Sequence, residues 1–417
     1  MSAMSSHPLL VVGAGIAGVT SALEAAEAGQ EVILIEREAS VGGRVLKNHQ
    51  YFPKMCPPSC GFEINTRRLE KSPNVRVMTN TEVIGGRREG SGWKVTLRHG
   101  PQYVNERCTA CGDCVSVCPA KIPNPLNLGM DEISAIHQPL PEAWPRRYRL
   151  ERSACAADCN ACAEACKYEA IDLSAKATEE TIEFSALIVA TGWEPYPLEN
   201  LRELGGGLFP DVISNVQMER LASESGPTGG KILRPSDGAE PKHIAFVQCA
   251  GSRDVNHLPY CSAVCCLASL KQAIYVKEQH PSSEVTVYYI DRRAPGRNED
   301  VLTKVAGLEG VNLVKGKVGK IGEGEGGALN LRVEDVEAGR LMDARADLVI
   351  LATGMQPSLK RKALPLEIAL DEDGFAVEEE GAKVLVAGVA RRPEDVASTV
   401  RDATGASAKA IMAGRSA

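Results

Sequence analysis

The chain predicts an α/β fold of two nucleotide-binding βαβ units, the second of them altered, with a smaller cysteine-rich domain set into the first. Three observations carry this. Residues 8–36 read strand, glycine turn, helix, strand as PLLVV, GAGIAG, VTSALEAAEAGQ and EVILIE. The same order returns after residue 240 as HIAFV, a cysteine-rich turn, CCLASLKQAIYVKEQ and EVTVYYID. Between them stand eight cysteines in two closely spaced runs.

In the first unit Gly13 supplies the turn, Gly15 lets the backbone approach a pyrophosphate, and Gly18 lets the helix pack on the strand. The free N–H groups of the helix start then face phosphate. Glu36 closes the second strand, placed to accept from a ribose hydroxyl. A glycine fingerprint alone is a weak signal; strand, helix and terminal acid together make a dinucleotide site.

Four later stretches suggest which dinucleotide it is. Residues 40–44 read SVGGR, Ala190-Thr191-Gly192 follows EFSALIV, Ala352-Thr353-Gly354 follows ADLVIL, and KVLVAGVA stands at 383–390. In this order they resemble the two-dinucleotide-binding-domain flavoproteins of the thioredoxin/glutathione reductase type. The resemblance implies FAD, contacted by Gly13, Gly15, Ile16, Ala17, Gly18, Glu36, Arg37, Gly43, Arg44, Val83, Ala190, Thr191, Gly192 and Gly388. The closing segment departs from the common form in having no Asp after Gly388.

The inserted runs are Cys108, Cys111, Cys114 and Cys118, spaced C-x2-C-x2-C-x3-C-P, and Cys155, Cys159, Cys162 and Cys166. Close spacing in a tight loop brings three thiolates to one small metal core, and a distant cysteine completes it. By the exchange usual in two-cluster ferredoxins, Cys108, Cys111, Cys114 and Cys166 hold one 4Fe-4S cluster and Cys118, Cys155, Cys159 and Cys162 the other. Four-thiolate zinc is the competing reading. The second run has C-x3-C where x2 is commoner, with Lys167 in place of the usual proline, and the proline-rich residues 119–154 are longer than a minimal ferredoxin needs.

In the second unit the turn that would cradle a nicotinamide dinucleotide reads QCAGSR, and Cys249, Cys261, Cys265 and Cys266 form a C-x11-C-x3-C-C set. Cysteine stands where phosphate would sit. The stretches GPTGG, RPSDG, PKHIAFVQCAGSRD and PYCSAVCC, with GGRVLKNHQYFPKMCPPSCG at 42–61 and AIHQPLPEAWP at 135–145, closely resemble the A subunits of heterodisulfide reductases. That resemblance implies an atypical third 4Fe-4S cluster on these four cysteines. Internal ferredoxin and overall length are most similar to the branch found in the quinone-interacting membrane-bound oxidoreductase (Qmo) complex. Its implied partners are adenylylsulfate reductase, a haem-containing membrane subunit and a second subunit carrying flavin and iron–sulfur clusters. Expected domains are therefore 1–100 and 175–240 (flavin domain, with linker), 101–174 (two-cluster ferredoxin-like insertion), 241–357 (degenerate second dinucleotide domain) and 358–417 (flavin closing segment).

Composition narrows the class. The 417 residues allow two or three domains, and a net charge of -7 without a Lys/Arg run excludes a nucleic-acid binder. No apolar stretch approaches the ~18 residues of a membrane span, so a cytoplasmic protein is expected, meeting the membrane only through partners. Fourteen cysteines in a reducing compartment mean metal or redox work rather than disulfides. Seven scattered histidines form no acid–base constellation, and no catalytic residue is assigned. The function expected is electron transfer between a quinone-linked module and a sulfur-metabolism partner. Rival readings are a soluble protein of the same family that works on a thiol or disulfide, an NAD(P)H-dependent flavin disulfide reductase using Cys56 and Cys60, and a subunit without turnover of its own. Cys56 and Cys60 stand open between redox pair, cluster contact and plain thiols.

Overall fold

The computed structural model describes residues 7–415 apart from 53, 91, 380 and 382; residues 1–6 and 416–417 of the expected end segments fall outside it. The elements that position the sites are β1 (Leu9–Val12), α1 (Ile16–Glu27), β2 (Val32–Ile35), β3 (Val75–Met78), β4 (Ala186–Val189), α2 (Asn215–Ala222), β5 (His243–Ala250), α3 (Cys265–Gln279), β6 (Glu284–Tyr289), β7 (Leu348–Thr353), β8 (Val384–Val386) and α4 (Val396–Arg415).

The first sheet is parallel in the order β8-β4-β1-β2-β3. LLVV, VILI and ALIV are continuous apolar runs because every residue in them is buried, as in a sheet covered on both faces. One face carries α1 and α4, where Ala22, Ala25 and Ala26 share a core with Ala403, Ala406 and Ala410. The other carries an antiparallel sheet of Thr81–Glu89, Gly92–His99 and Thr178–Phe184, packed through Trp93, Val95 and Phe184. The helix α1 starts at Ile16, inside the glycine fingerprint rather than after it, so Gly18 lies in its first turn. A Cβ there would sit 1.8 Å from the Gly13 carbonyl oxygen, which is the packing reason for a glycine.

The second sheet has seven strands. Val212–Ser214, β7, β5, β6 and Val311–Glu323 run parallel, and an antiparallel meander of Leu329–Asp335 and Arg340–Ala346 completes it. The helix α3 packs Leu270, Ala273 and Ile274 on Ile244 and Phe246. The second unit thus draws on chain before residue 241. Val212–Ser214 and α2, capped by Ser214 accepting from the Gln217 amide at 3.2 Å, fall in the 175–240 stretch expected as flavin domain and linker, because a three-residue strand gives no periodic signal.

The insertion is held by small pairings, Lys121–Pro123 with Glu132–Ser134 and Ile136–His137 with Arg149–Leu150, over a core containing Cys114 and Cys162. Arg220 ties it to both larger units. Only 2% exposed, it donates to Asn127 Oδ1 at 2.9 Å, the Lys47 carbonyl at 3.0 Å and Ser225 Oγ at 2.6 Å.

Candidate functional site

A cavity of about 960 Å³ runs along the C-terminal ends of β1, β2 and β4, where open α/β sheets bind ligands. Gly13, Gly15, Ile16, Ala17, Glu36, Arg37, Gly43, Arg44, Val83, Ala190, Thr191 and Gly192 all line it. Gly18 and Gly388 stand behind the wall. Gly13 takes φ +101, and a Cβ there would meet the Ala190 carbonyl oxygen at 2.5 Å. Gly388 has φ +64 and packs against Ala17 and Thr399.

Charge is ordered along the cavity. Glu36 accepts from the Ala14 amide at 2.8 Å and the Glu38 amide at 3.0 Å. Burial pushes its carboxyl up, and those two donors pull against the rise. Arg44 lies over the Trp193 ring, donates to the Trp193 carbonyl at 2.7 Å and pairs with Glu194, which also accepts from Arg37 at 2.7 Å. Burial would raise the Glu194 carboxyl, but Arg44 and Arg37 outweigh it and hold it below the ordinary value.

The donor set fits a dinucleotide carrying hydroxyls and a heterocycle. Five buried polar atoms without a partner among the described residues belong to cavity-lining side chains: His137 Nδ1, Thr191 Oγ1, Gln272 Oε1, Ser358 Oγ and Glu394 Oε2. Buried polar atoms are normally paired, so their gathering on one cavity marks where a polar ligand supplies the partners. Residues outside the expected cofactor contacts also line it. Pro123, Leu126, His137 and Leu140 come from the 119–154 segment, and Leu267, Ala268, Lys271 and Gln272 from α3. No pattern announces them, because each faces the cavity only through the way the units dock.

The two inserted runs interleave. The Cys162 thiol, raised first by burial, lies close enough to Cys118 of the first run to be raised by it ahead of Cys155 and Cys159. Cys114, pushed up to about 12, has burial as its main cause and Cys108, Cys111 and Cys162 as neighbours. Lys167, beside Cys166, pairs with Asp113 of the first run at 3.3 Å. Ala110 and Gly112 take left-handed φ of 56 and 93 between the cysteines, a turn conformation that directs amides at an anionic centre. Among the described residues no three His, Cys, Asp or Glu side chains are placed to hold a single metal ion. One zinc would draw four sulfurs, each at about 2.3 Å, to within roughly 4 Å of one another.

Cys249, Cys261, Cys265 and Cys266 meet in one small pocket with Ser252, Ser262, Arg253, Asp291 and Arg293. Three non-glycine residues there, Cys249, Arg253 and Ala263, have left-handed φ of 54, 60 and 61. Such conformations cost of order 1–3 kcal/mol each and gather at functional sites. Burial pushes the Cys249, Cys265 and Cys266 thiols up, and Arg253 and Arg293 supply positive charge beside them. Cys56 is half-buried and Cys60 exposed, and neither lines the large cavity, although Tyr51, whose amide donates to the Cys56 carbonyl at 3.1 Å, does.

The geometry agrees with what the chain is similar to. Residues 11–81 match the model of an NAD(P)-binding Rossmann-like domain. The fold is that of thioredoxin reductase from T. acidophilum (TM-score 0.51, 14% identity, 98% of each chain) and of bacillithiol disulfide reductase Bdr from Bacillus cereus (TM-score 0.53, 12% identity, 98% of this chain and 99% of that one). The A subunit of ferredoxin:CoB-CoM heterodisulfide reductase from Methanosarcina mazei is 34% identical over 426 residues, 99% of this chain and 54% of that protein. The iron-sulfur A subunit of CoB--CoM heterodisulfide reductase from Methanocaldococcus jannaschii is 34% identical over 415 residues, 95% of this chain and 63% of that protein. The chain therefore spans roughly half to two thirds of the length of the curated relatives it matches. Over that shared length the chain has the thioredoxin reductase fold and is a relative of heterodisulfide reductase A subunits at about one residue in three.

Proposed function

We propose that the chain is a flavin and iron–sulfur electron-transfer subunit of a heterodisulfide reductase-like complex, an oxidoreductase that holds FAD in the large cavity and clusters on its three cysteine sets. One observation carries the reading. The helix α3 opens with Cys265 and Cys266 in the cysteine pocket, and its next turns, through Leu267, Ala268, Lys271 and Gln272, form a wall of the large cavity. At 1.5 Å rise per residue, Cys265 and Ala268 are about 4.5 Å apart along the axis. A pair of redox groups held on either side would be neighbours.

FAD, when bound, exchanges two electrons with one partner and single electrons with iron–sulfur centres. The protein's share is placement. Gly13 and Gly15 would admit the pyrophosphate, Glu36 would accept from the ribose, and the α3 wall would bring the cofactor beside the Cys249, Cys261, Cys265 and Cys266 set. Cys108, Cys111, Cys114 and Cys166 would hold one further cluster, and Cys118, Cys155, Cys159 and Cys162 another, an exchange supported by the proximity of Cys118 to Cys162.

The finer reading is a place in a quinone-interacting (Qmo) complex. There a haem-containing membrane subunit, together with a second subunit carrying flavin and iron–sulfur clusters, would link the chain to the quinone pool, and adenylylsulfate reductase would be the cytoplasmic partner. The likeness of the internal cysteine runs to that branch, read from the sequence, supports it. No helix among the described residues is long and apolar enough to cross a membrane, so the membrane would be reached through those subunits. Anaerobic purification tests the proposal. About 12 Fe per FAD is expected from three four-iron clusters; protein without flavin would overturn it, and turnover with NADH would favour the disulfide reductase rival. Co-purification with a haem subunit tests the finer reading.

A further inference from the structure

The sheet order decides which half of a dinucleotide meets which residue. Glu36 follows β2 and the segment from Gly388 to Glu394 follows β8; in the order β8-β4-β1-β2-β3 three strand spacings separate them, roughly 14 Å. A pyrophosphate over the Gly13 turn, after β1, lies between. The adenosine ribose then belongs on the Glu36 side and the ribityl–isoalloxazine half on the β8 side.

On that side stands Glu394. It lines the cavity and is 7% exposed. Its Oε1 accepts from Arg392 Nε at 2.6 Å, while Oε2 has no partner among the described residues. Neighbouring carboxylates are engaged: Asp395 accepts from the Ser398 amide at 2.7 Å, starting α4, and Asp402 accepts from the Gly388 amide at 2.7 Å. A carboxylate oxygen withdrawn from water without a donor is costly. We propose that Glu394 is a flavin-positioning residue, its Oε2 accepting a hydrogen bond from the flavin half of FAD, either a ribityl hydroxyl or the ring N3–H. The inference rests on the flavin assignment of the large cavity.

Apo-protein titrated with FAD, N3-methyl-FAD and ADP tests it. Glu394→Ala should weaken FAD binding about 10- to 100-fold, the range for a hydrogen bond to a charged group, and leave ADP binding unchanged. Glu394→Gln, with Arg392 claiming its amide oxygen, should lose nearly as much if the partner is N3–H, which cannot accept from the NH₂, and much less if it is a ribityl hydroxyl, which can. A defect that persists with N3-methyl-FAD assigns the ribityl hydroxyl; one that vanishes assigns N3–H. Unaltered FAD affinity in both variants, or equal losses for FAD and ADP, would overturn the inference. Wild-type apo-protein that binds ADP but takes up no FAD would overturn the flavin assignment instead.

Discussion

Lys271 Nζ lies 3.0 Å from Glu219 Oε1, and the two side chains are only 6% and 5% exposed. The pair is shared between the units: Lys271 also donates to the Gln50 carbonyl at 2.6 Å, and Glu219 accepts from the His49 amide at 3.0 Å and from Gln272 Nε2 at 2.7 Å. It therefore locks α2 and α3 to the loop that follows the glycine pair of the first unit. Removing one partner strands the other as a buried charge, at about 3–5 kcal/mol. Lys271→Met should lower the melting temperature of the apo-protein and speed proteolysis near residues 47–51; an unchanged melting curve would show that the docking does not depend on the pair.

Gly18 tests the fingerprint itself. A Cβ 1.8 Å from the Gly13 carbonyl must push α1 off its strand, and overpacking of this kind costs about 1–3 kcal/mol. Gly18→Ala should purify with a flavin-to-protein absorbance ratio well below wild type while keeping its iron, because the cysteine sets lie elsewhere.

Acid should expose the Glu194 clamp. Since Arg44 and Arg37 hold its folded carboxyl below the ordinary value, the stabilisation is present above the ordinary carboxylate range and is lost as pH falls through the lowered one. Glu194→Gln has no such charge to lose. The melting-temperature gap between wild type and Glu194→Gln should be widest near neutrality and close below about pH 4, as followed by calorimetry across that range.

Cys265 separates the third cysteine set from the other two. Cys265→Ser should reduce iron from about 12 to about 8 per FAD, with flavin retained and the electron paramagnetic resonance of the remaining centres unchanged. Iron near 8 already in the wild type would mean that this set does not hold a cluster.

The periodic part of the fold was legible in the residues. Continuous apolar strands flanking a glycine turn marked the first sheet, and the stretch CCLASLKQAIYVKEQ coincides with α3. Cysteine spacing pointed to residues that come near one another in the fold, Cys118 to Cys162 between separate runs and Cys249, Cys261, Cys265 and Cys266 around one pocket. Contacts made only by docking stayed hidden. His137 and Leu140 sit in the stretch AIHQPLPEAWP, Lys271 in CCLASLKQAIYVKEQ, Glu219 in a segment expected with the flavin domain and its linker, and Glu394 after an Arg-Arg-Pro turn, and no spacing in these stretches predicts the contacts the side chains make. Val212–Ser214 was too short to signal a strand. In each case the partner is distant in sequence, and one-dimensional patterns record only neighbours.

The walls of the large cavity are drawn from residues scattered between Val12 and Thr399, so the chamber is complete only once the chain reaches Thr399. A nascent chain completes both inserted cysteine runs at Cys166 and the last set at Cys266, long before β8 and the start of α4 emerge. A fragment ending before β8 would therefore carry every cysteine of the three sets without the closed chamber.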